Sequence, residues 1–491
     1  MAGAVEENGL TMRAWRRALA PALLVMLLAL IGAEPAAAAL DPSFGQGGRL
    51  VLPTSFEGRA RWSSPGAVAM PDGSLVVATR ESLVRLTPEG QLDPSFGEGG
   101  RLIPSAPPGA RFEIVGLALD SQNRLLVAGT SVFPGEEQAS VEFLPGTLEG
   151  PREARILRLL PDGRPDPSFG DGGVVETDLG LPPPRDQAGK ALLAKPWVEL
   201  TGVAVDAQNR VVVTGGAAVG VETGCAHDWF FNVLTYAGLV ARFTEAGAVD
   251  TGFGGGDGVF GGHSASENPL GDEFVADPSI GPGGEATYIT GSGRCPRADG
   301  YTGMARLTGD GGPVTGFGSA GSVHAAVDEA VTRPDGSLLA LESLPWREGE
   351  PWRERVSDYG PSGVLDSAFG RAGHTVVTLP GGPASGLRSL ATDANGRVLL
   401  GGHLATARVR RGHHGKPRKP SRRWLLLMRL NRNGQLDRSL GPHGRVAIGF
   451  GALPVYGSQV LVDDQGRVVL VGTYVGEKGE GLAIARYLPK G

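Results

Sequence analysis

Two cysteines, six lysines and 6% aromatic residues among 491 positions leave several protein classes without their materials. Two cysteines permit one crosslink at most, which rules out a disulfide-built scaffold and any multi-cysteine zinc module. The 46 basic residues are nearly all Arg and are outnumbered by 52 acidic ones. The net charge of −6 therefore gives no overall basic surface for nucleic acid. No G-x-S-x-G elbow, H-E-x-x-H helix, phosphate loop or dinucleotide fingerprint occurs in a fitting context. The eight His residues occupy no repeated position, so no metal or cofactor is expected. Glycine, by contrast, is abundant, with 79 residues beside 37 prolines. No G-X-Y period persists, which excludes collagen, and 41% hydrophobic residues argue against general disorder. A chain so rich in turns should be built of short strands.

One long apolar run exists, from Ala18 to Ile31, preceded by Arg13, Arg16 and Arg17 and followed by Ala37-Ala38-Ala39. This is the pattern of a secretory signal peptide over residues 1–39, with Met12 as an alternative start. Fourteen residues make about 21 Å of helix against a hydrocarbon core of about 30 Å, so a permanent span is the weaker reading. No Cys follows the cleavage region and no apolar tail closes the chain, so the expected product is a released, monomeric protein.

Self-comparison exposes seven repeats. Leu40-Asp41-Pro42-Ser43-Phe44-Gly45-Gln46-Gly47-Gly48 recurs at Asp93-Pro94-Ser95-Phe96 and at Asp166-Pro167-Ser168-Phe169. Weaker copies centre on Phe253, Phe317 and Phe369, and Leu440 marks the last. Each unit carries a short strand after this segment and a second strand before a hairpin turn such as Pro71-Asp72-Gly73. A strongly apolar third strand (Leu75 to Thr79 in the first unit) and a fourth complete it. Four strands per unit without helical periodicity describe a propeller blade, and the unused first segment could complete the last unit. The expected fold is therefore all-β: one seven-bladed propeller of four-stranded antiparallel blades over residues 40–491. These cores, turns and the Ala-Arg-Leu before each turn resemble the delta-60 repeat family of predicted bacterial β-propellers. Unit five departs most, with Val314 for Asp and Ala320 for Gly. The resemblance implies architecture and export, and no catalytic set.

Arg85, Arg158, Arg242, Arg306 and Arg429 each stand eight residues before the repeat's Asp position, namely Asp93, Asp166, Asp250, Val314 and Asp437. In unit six Asp358 takes the Arg place before Asp366, and Arg486 would meet Asp41 if the ring closes. A charge on an apolar strand needs a partner, so these residues read as junction pairs; a ring of ligand-binding Arg is the alternative. Phe44 and its equivalents read as wedges between blades.

Function should lie where the repeat is broken. Insertions at 130–153, 178–199, 217–238, 342–355 and 404–423 fall on one rim of an up-and-down blade ring. Cys225 and Cys295, after the third strands of neighbouring units, form a candidate disulfide on that rim. Arg408, Arg410, Arg411, Lys416, Arg418, Lys419, Arg422 and Arg423 form a basic strip suited to an anionic glycan or cell-wall polymer, or a plain solvated loop. Trp229 and Trp352, with Trp197 and Trp346, offer stacking surfaces for a sugar or a protein partner, or cover blade ends. Nucleic acid is disfavoured because the strip lacks interleaved aromatics and the chain reads as exported. A secreted binding module is the leading reading. An extracellular lyase, lactonase or glycoside hydrolase using rim carboxylates or a metal is the alternative.

Overall fold

The computed structural model describes residues 40–53, 66–134, 150–186, 188–193, 195–226, 229–262, 274–291, 302–319, 321–347, 350–405, 422–476 and 479–488. The chain first lays down β1 (Arg49–Pro53). Blade 1 follows as β2 (Ala67–Ala69), β3 (Leu75–Ala78), β4 (Leu83–Leu86) and β5 (Arg101–Leu102). Blade 2 is β6 (Arg111–Leu119), β7 (Leu125–Val132), β8 (Arg152–Leu159) and β9 (Val174–Thr177). Blade 3 is β10 (Val198–Val205), β11 (Val211–Ala226), β12 (Trp229–Phe243) and β13 (Val259–Gly261). Blade 4 is β14 (Phe274–Ile280), β15 (Ala286–Gly291), β16 (Thr302–Leu307) and β17 (Ser322–His324). Blade 5 is β18 (Glu329–Thr332), β19 (Leu338–Ser343), β20 (Trp352–Tyr359) and β21 (His374–Leu379). Blade 6 is β22 (Gly386–Thr392), β23 (Val398–Ala405), β24 (Arg423–Leu430) and β25 (Arg445–Ile448). Blade 7 is β26 (Val455–Val462), β27 (Val468–Gly476) and β28 (Gly479–Tyr487), completed by β1.

Each sheet is antiparallel, and the first strand of every blade lies beside the first strands of both neighbours, from β2 round to β26 and back. These seven strands are therefore innermost and wall a central channel. Ring closure pairs Arg49 with Ala485 and Pro53 with Gly481, while Leu40 bridges Tyr487. The four-strand unit legible in the sequence is thus displaced by one strand from the blade. The strand after each Asp-x-x-Phe-Gly segment forms the outer edge of the preceding sheet, because that segment reverses the chain within the sheet. The crossing to the next blade comes one strand later.

The third strands of the sequence units are second in their sheets, and burial of both their faces accounts for their unbroken apolar runs. All of Leu75–Ala78 and all of Leu125–Val132 are buried. The core is divided into seven clusters, one at every junction between neighbouring blades. Packing thus acts between sheets, and no blade buries its own faces alone.

Candidate functional site

The two rims are built differently. One carries the first-to-second strand turns and the Asp-x-x-Phe-Gly segments, and the repeated charges at its blade junctions are matched in place. Arg158 donates to Asp166 Oδ2 at 2.8 Å and to Ser168 Oγ at 2.9 Å, and reaches the Glu245 carbonyl of the next blade. Arg242 pairs with Asp250 at 2.8 Å and reaches the Gly309 carbonyl. Arg429 pairs with Asp437 at 2.7 Å, and Arg486 closes the ring on Asp41 at 2.8 Å. Arg85 divides its donors between Asp72 at 2.9 Å and Asp93 at 3.2 Å. Facing Val314, Arg306 donates instead to Thr287 Oγ1 at 2.9 Å and to the Pro361 and Gly336 carbonyls. Burial alone would raise the Asp41 carboxyl, but Ser43 and Arg486 together hold it below its ordinary range.

The guanidinium groups of Arg158, Arg242, Arg306 and Arg486 also lie 4.5–4.7 Å from the centres of Phe169, Phe253, Phe317 and Phe44. Phe44, Phe96, Phe169, Phe253, Phe317 and Phe369 are all at most 1% exposed. Each is held against the turn of the following blade, where a glycine such as Gly90 leaves room: a Cβ there would stand 2.9 Å from the Phe44 ring, at a φ of +80°. This rim can join blades. Its junction cations are engaged within the fold, and Arg371, Arg432 and Arg438 stand exposed beside them.

Blade 5 reverses the charges. Arg333 occupies the turn position held by Asp120, Asp206, Asp393 and Asp463 elsewhere, and it binds Asp358 bidentately at 2.8 and 2.9 Å. Sequence reading singles out Asp358 but misses Arg333, whose signal was an Arg in the one turn where four blades have Asp. Asp366 turns to the Ala368 N–H at 3.0 Å. Burial still raises the Asp358 carboxyl, against the pull of Arg333.

The opposite rim carries the insertions. The hairpin β11–β12 extends furthest, with 16 and 15 residues. Cys225 and Trp229 lie at its tip, and their side chains are outside the described residues, as is all of Cys295. Arg408, Arg410, Arg411, Lys416, Arg418 and Lys419 also lie outside them. Arg422 is exposed, and Arg423 stacks its guanidinium 4.2 Å over Tyr456. Beside Tyr456, burial and then the charges of Arg423 and Arg388 push His403 down to about 4. Trp197 is buried beneath Arg152 at 5.1 Å, whereas Trp346 is 40% exposed. Trp352 Nε1 donates to Glu354 Oε1 at 2.7 Å, and the Leu387 N–H donates to both oxygens of Glu354. Burial nevertheless pushes this carboxyl up to about 7.

The channel wall is the third region, and the repeat alone does not reveal it. Counting back four residues from the start of each first-to-second strand turn gives Gly66, Gly116, Gly202, Asp277, Glu329, Ser389 and Gln459. Three consecutive blades place glycine at this level and the next four place polar side chains. Innermost strands have one unpaired edge, and the polar side chains serve it. Gln459 Oε1 accepts the Ala67 N–H of blade 1 at 2.6 Å, and Ser389 Oγ accepts the Val460 N–H of blade 7 at 3.1 Å. Ser389 Oγ also donates to Glu329 Oε1 at 3.3 Å. In blade 4 a bulge falls between Ala276 and Ser279, so Ala276 keeps the pairing and Asp277 leaves the ladder at a φ of +49°. Asp277 is exposed, and its neighbour Pro278 fills the space a side chain on Gly202 would need.

The Gly254-to-Gly258 segment has its Asp257 turned to the Val259 N–H at 3.0 Å, and it borders a cleft of about 550 Å³ with Asp310 and Pro313. Among the described residues, no three His, Cys, Asp or Glu side chains form a metal-binding group. No helix among them is long and apolar enough to cross a membrane.

A family described as "Domain of unknown function (DUF5122) beta-propeller" matches residues 71–96 and 146–169, two short stretches that each end on a repeat Phe. Similar solved structures include a protein of unknown function from Dyadobacter fermentans, at 11% identity and a TM-score of 0.36, over 78% of this chain and 100% of that one. Another is Trypanosoma rangeli sialidase, at 10% identity and a TM-score of 0.32, over 76% of this chain and 54% of that one. No curated protein matches the chain. The sequence and structure place the chain among β-propeller repeat proteins.

Proposed function

We propose that this protein is an exported binding module of the delta-60 type that engages an anionic glycan or cell-envelope polymer through its insertion-bearing rim. The observation that carries this reading is the asymmetry between the rims: one keeps tight turns whose junction Arg residues are matched to internal acceptors, while the other carries the long insertions, with Arg388 and Arg422 exposed on it. The basic insertion joins β23 to β24, a connection made on the same rim. Export is supported by the signal-like residues 1–39 and by the start of ring closure at Leu40, one residue later. A disulfide between Cys225 and Cys295 would brace neighbouring hairpins of this face.

Replacing residues 408–421 by a short Gly-Ser linker removes six cations without touching β23 or β24. Binding to an acidic polysaccharide should then weaken by about tenfold or more at low salt and lose most of its salt dependence. Pull-down against cell-wall polymer across a salt series measures both. Binding that persists unchanged and insensitive to salt would overturn the reading. The enzyme reading rests on Asp277 and Glu329 in the channel, and substrate turnover abolished by Asp277→Asn would support it.

A further inference from the structure

The buried carboxylates among the described residues are each matched inside the fold. Glu113 has Arg80 and Arg111, Asp120 has Arg124, Asp206 has Arg210, Glu342 has Arg355, Asp358 has Arg333 and Asp463 has Arg467. Buried Glu354 has two N–H donors in place of a cation. Among the described residues, no Arg, Lys or His pairs with Asp277 or Glu329. The two sit on adjacent inner strands, β14 and β18, at the level where the glycine half of the belt gives way to the polar half. Ser389 donates to Glu329 Oε1, the Leu390 N–H also favours the carboxylate, and Glu329 Oε2 is sealed from solvent with no hydrogen bond of its own. Asp277 makes no hydrogen bond and is pushed out of its ladder by the bulge. Ser279 takes over the neighbouring duty, accepting the Thr332 N–H of blade 5 at 2.8 Å.

A buried acceptor left empty beside a second carboxylate costs free energy unless a donor arrives from outside the chain. We propose that Asp277 and Glu329 form a receptor for one primary ammonium group at the wall of the central channel. An ammonium supplies a positive charge and three N–H donors on a point small enough to lie between two inner strands. Asp277 takes one donor from the channel side, and Glu329 takes another once its carboxyl turns to bring the sealed Oε2 to the channel. Both carboxyls are set to respond to such a guest. Burial, followed by the Asp277 charge, pushes Glu329 well above its ordinary range against the Leu390 and Ser389 bonds, and desolvation by the crowded channel wall raises Asp277 although one face of it stays open. The site depends neither on the basic insertion nor on the polymer-binding reading, since its residues lie on inner strands.

The test uses the whole protein and two sources of the same chemistry, n-butylammonium and glucosamine, titrated calorimetrically. Tetramethylammonium, which has charge but no N–H, and N-acetylglucosamine, which has no charge, are the controls, and Ca²⁺ is a separate arm. The expected result is saturable binding of one or both primary ammonium ions and of neither control. Binding by both defines a general ammonium site; binding by glucosamine alone assigns it to amino sugars. Asp277→Asn should weaken this binding by at least about tenfold, a loss of roughly 1.4 kcal/mol, while thermal unfolding stays unchanged. Asp277 has no partner in the fold, so this variant keeps the test valid even if Glu329→Gln fails to fold. Absence of binding, equal binding by Asp277→Asn, or tighter occupation by Ca²⁺ would each overturn the proposal. Survival of ammonium binding in the 408–421 deletion separates this site from the rim.

Discussion

Arg158 and Arg388 are both blade-strand arginines, and they live in opposite settings. Arg158 is 1% exposed, and its guanidinium is engaged by a carboxylate, a hydroxyl and the neighbouring blade's carbonyl. Arg388 is exposed, and its guanidinium makes only a 3.4 Å contact with the carbonyl of the residue before it among the described residues. Their acidic counterparts divide the same way: Asp166 is clamped by Arg158 and Ser168, and Asp277 is bound by nothing in the fold. The clamped residues recur around the ring, and Arg388 and Asp277 have no counterpart of their own type at the same position in the other blades. Seven-fold repetition suits a junction that must be made at every blade, because each junction meets the same geometry. A ligand meets the ring at one place, so the residues that serve it break the pattern.

The largest effect should come from breaking a clamp where the ring closes. Arg486→Ala leaves Asp41, 3% exposed, without its cation and removes the stack on Phe44. Removing one partner of a buried pair costs about 3–5 kcal/mol, and urea unfolding should show that loss. Arg486→Lys should recover only part, because an ammonium cannot hold Asp41 and Ser43 in the same fork. Loss below about 1 kcal/mol would mean that closure rests on the β1–β28 ladder alone.

Blade 5 offers a second way to break the comparison, since its clamp has the opposite polarity. Arg333→Asp and Asp358→Arg should each destabilise by about 3 kcal/mol, each placing like charges together. The double variant restores an Asp in the turn and an Arg on β20, the arrangement of blades 2, 3, 6 and 7, and should recover most of the loss. A coupling energy near zero in this double-mutant cycle would show that the bidentate contact is not what joins this blade.

Much of this was legible before any coordinates. The Phe-Gly-x-Gly-Gly segments, the Pro-Asp-Gly turns and the buried second strands of the sheets each repeat, and repetition carries the blade number. The phase of the blade was not legible, because four strands in sequence look alike wherever the sheet is cut. Nor was the Arg333–Asp358 pair, although both residues depart visibly from their aligned positions. Asp277 and Glu329 were hidden for a stronger reason. Among 52 acidic residues nothing marks them until strand order shows which strands are innermost and the bulge shows which residue has left the ladder.

A smaller effect sharpens the contrast through pH. Glu354 is fully buried, and its carboxyl is pushed up to about 7 in the folded state against an ordinary 4.5. A carboxyl raised on folding favours the folded state while it is protonated. Its contribution is complete below the unfolded value and is lost as pH rises through about 7. Stability measured by urea unfolding should therefore contain a component that falls by up to about 3 kcal/mol between pH 4.5 and 8. Glu354→Gln keeps an acceptor for the Leu387 N–H and should flatten that component. An unchanged pH profile in this variant would show that the carboxyl ionises without cost where it sits.

Asp277→Asn should do least to the fold, and that is its value. The side chain has open surface on the channel side, accepts no hydrogen bond and faces no cation among the described residues. The same sign rule applies as for Glu354: a carboxyl raised in the folded state weakens the fold once pH exceeds its unfolded value. Removing the charge at pH 7 should therefore leave stability unchanged or raise it slightly, by no more than about 0.5 kcal/mol for a group so open to water. At pH 3, where the native carboxyl is already protonated, the two proteins should unfold together. An Asp at the clamped rim behaves in the opposite sense. Asp166→Asn removes an acceptor that Arg158 and Ser168 hold below the ordinary carboxylate range, and it should destabilise at pH 7 and less so at pH 3. Opposite signs for two Asp→Asn substitutions in one ring would distinguish a residue that the fold requires from one left free for a ligand; equal signs would dissolve the distinction between the two regions.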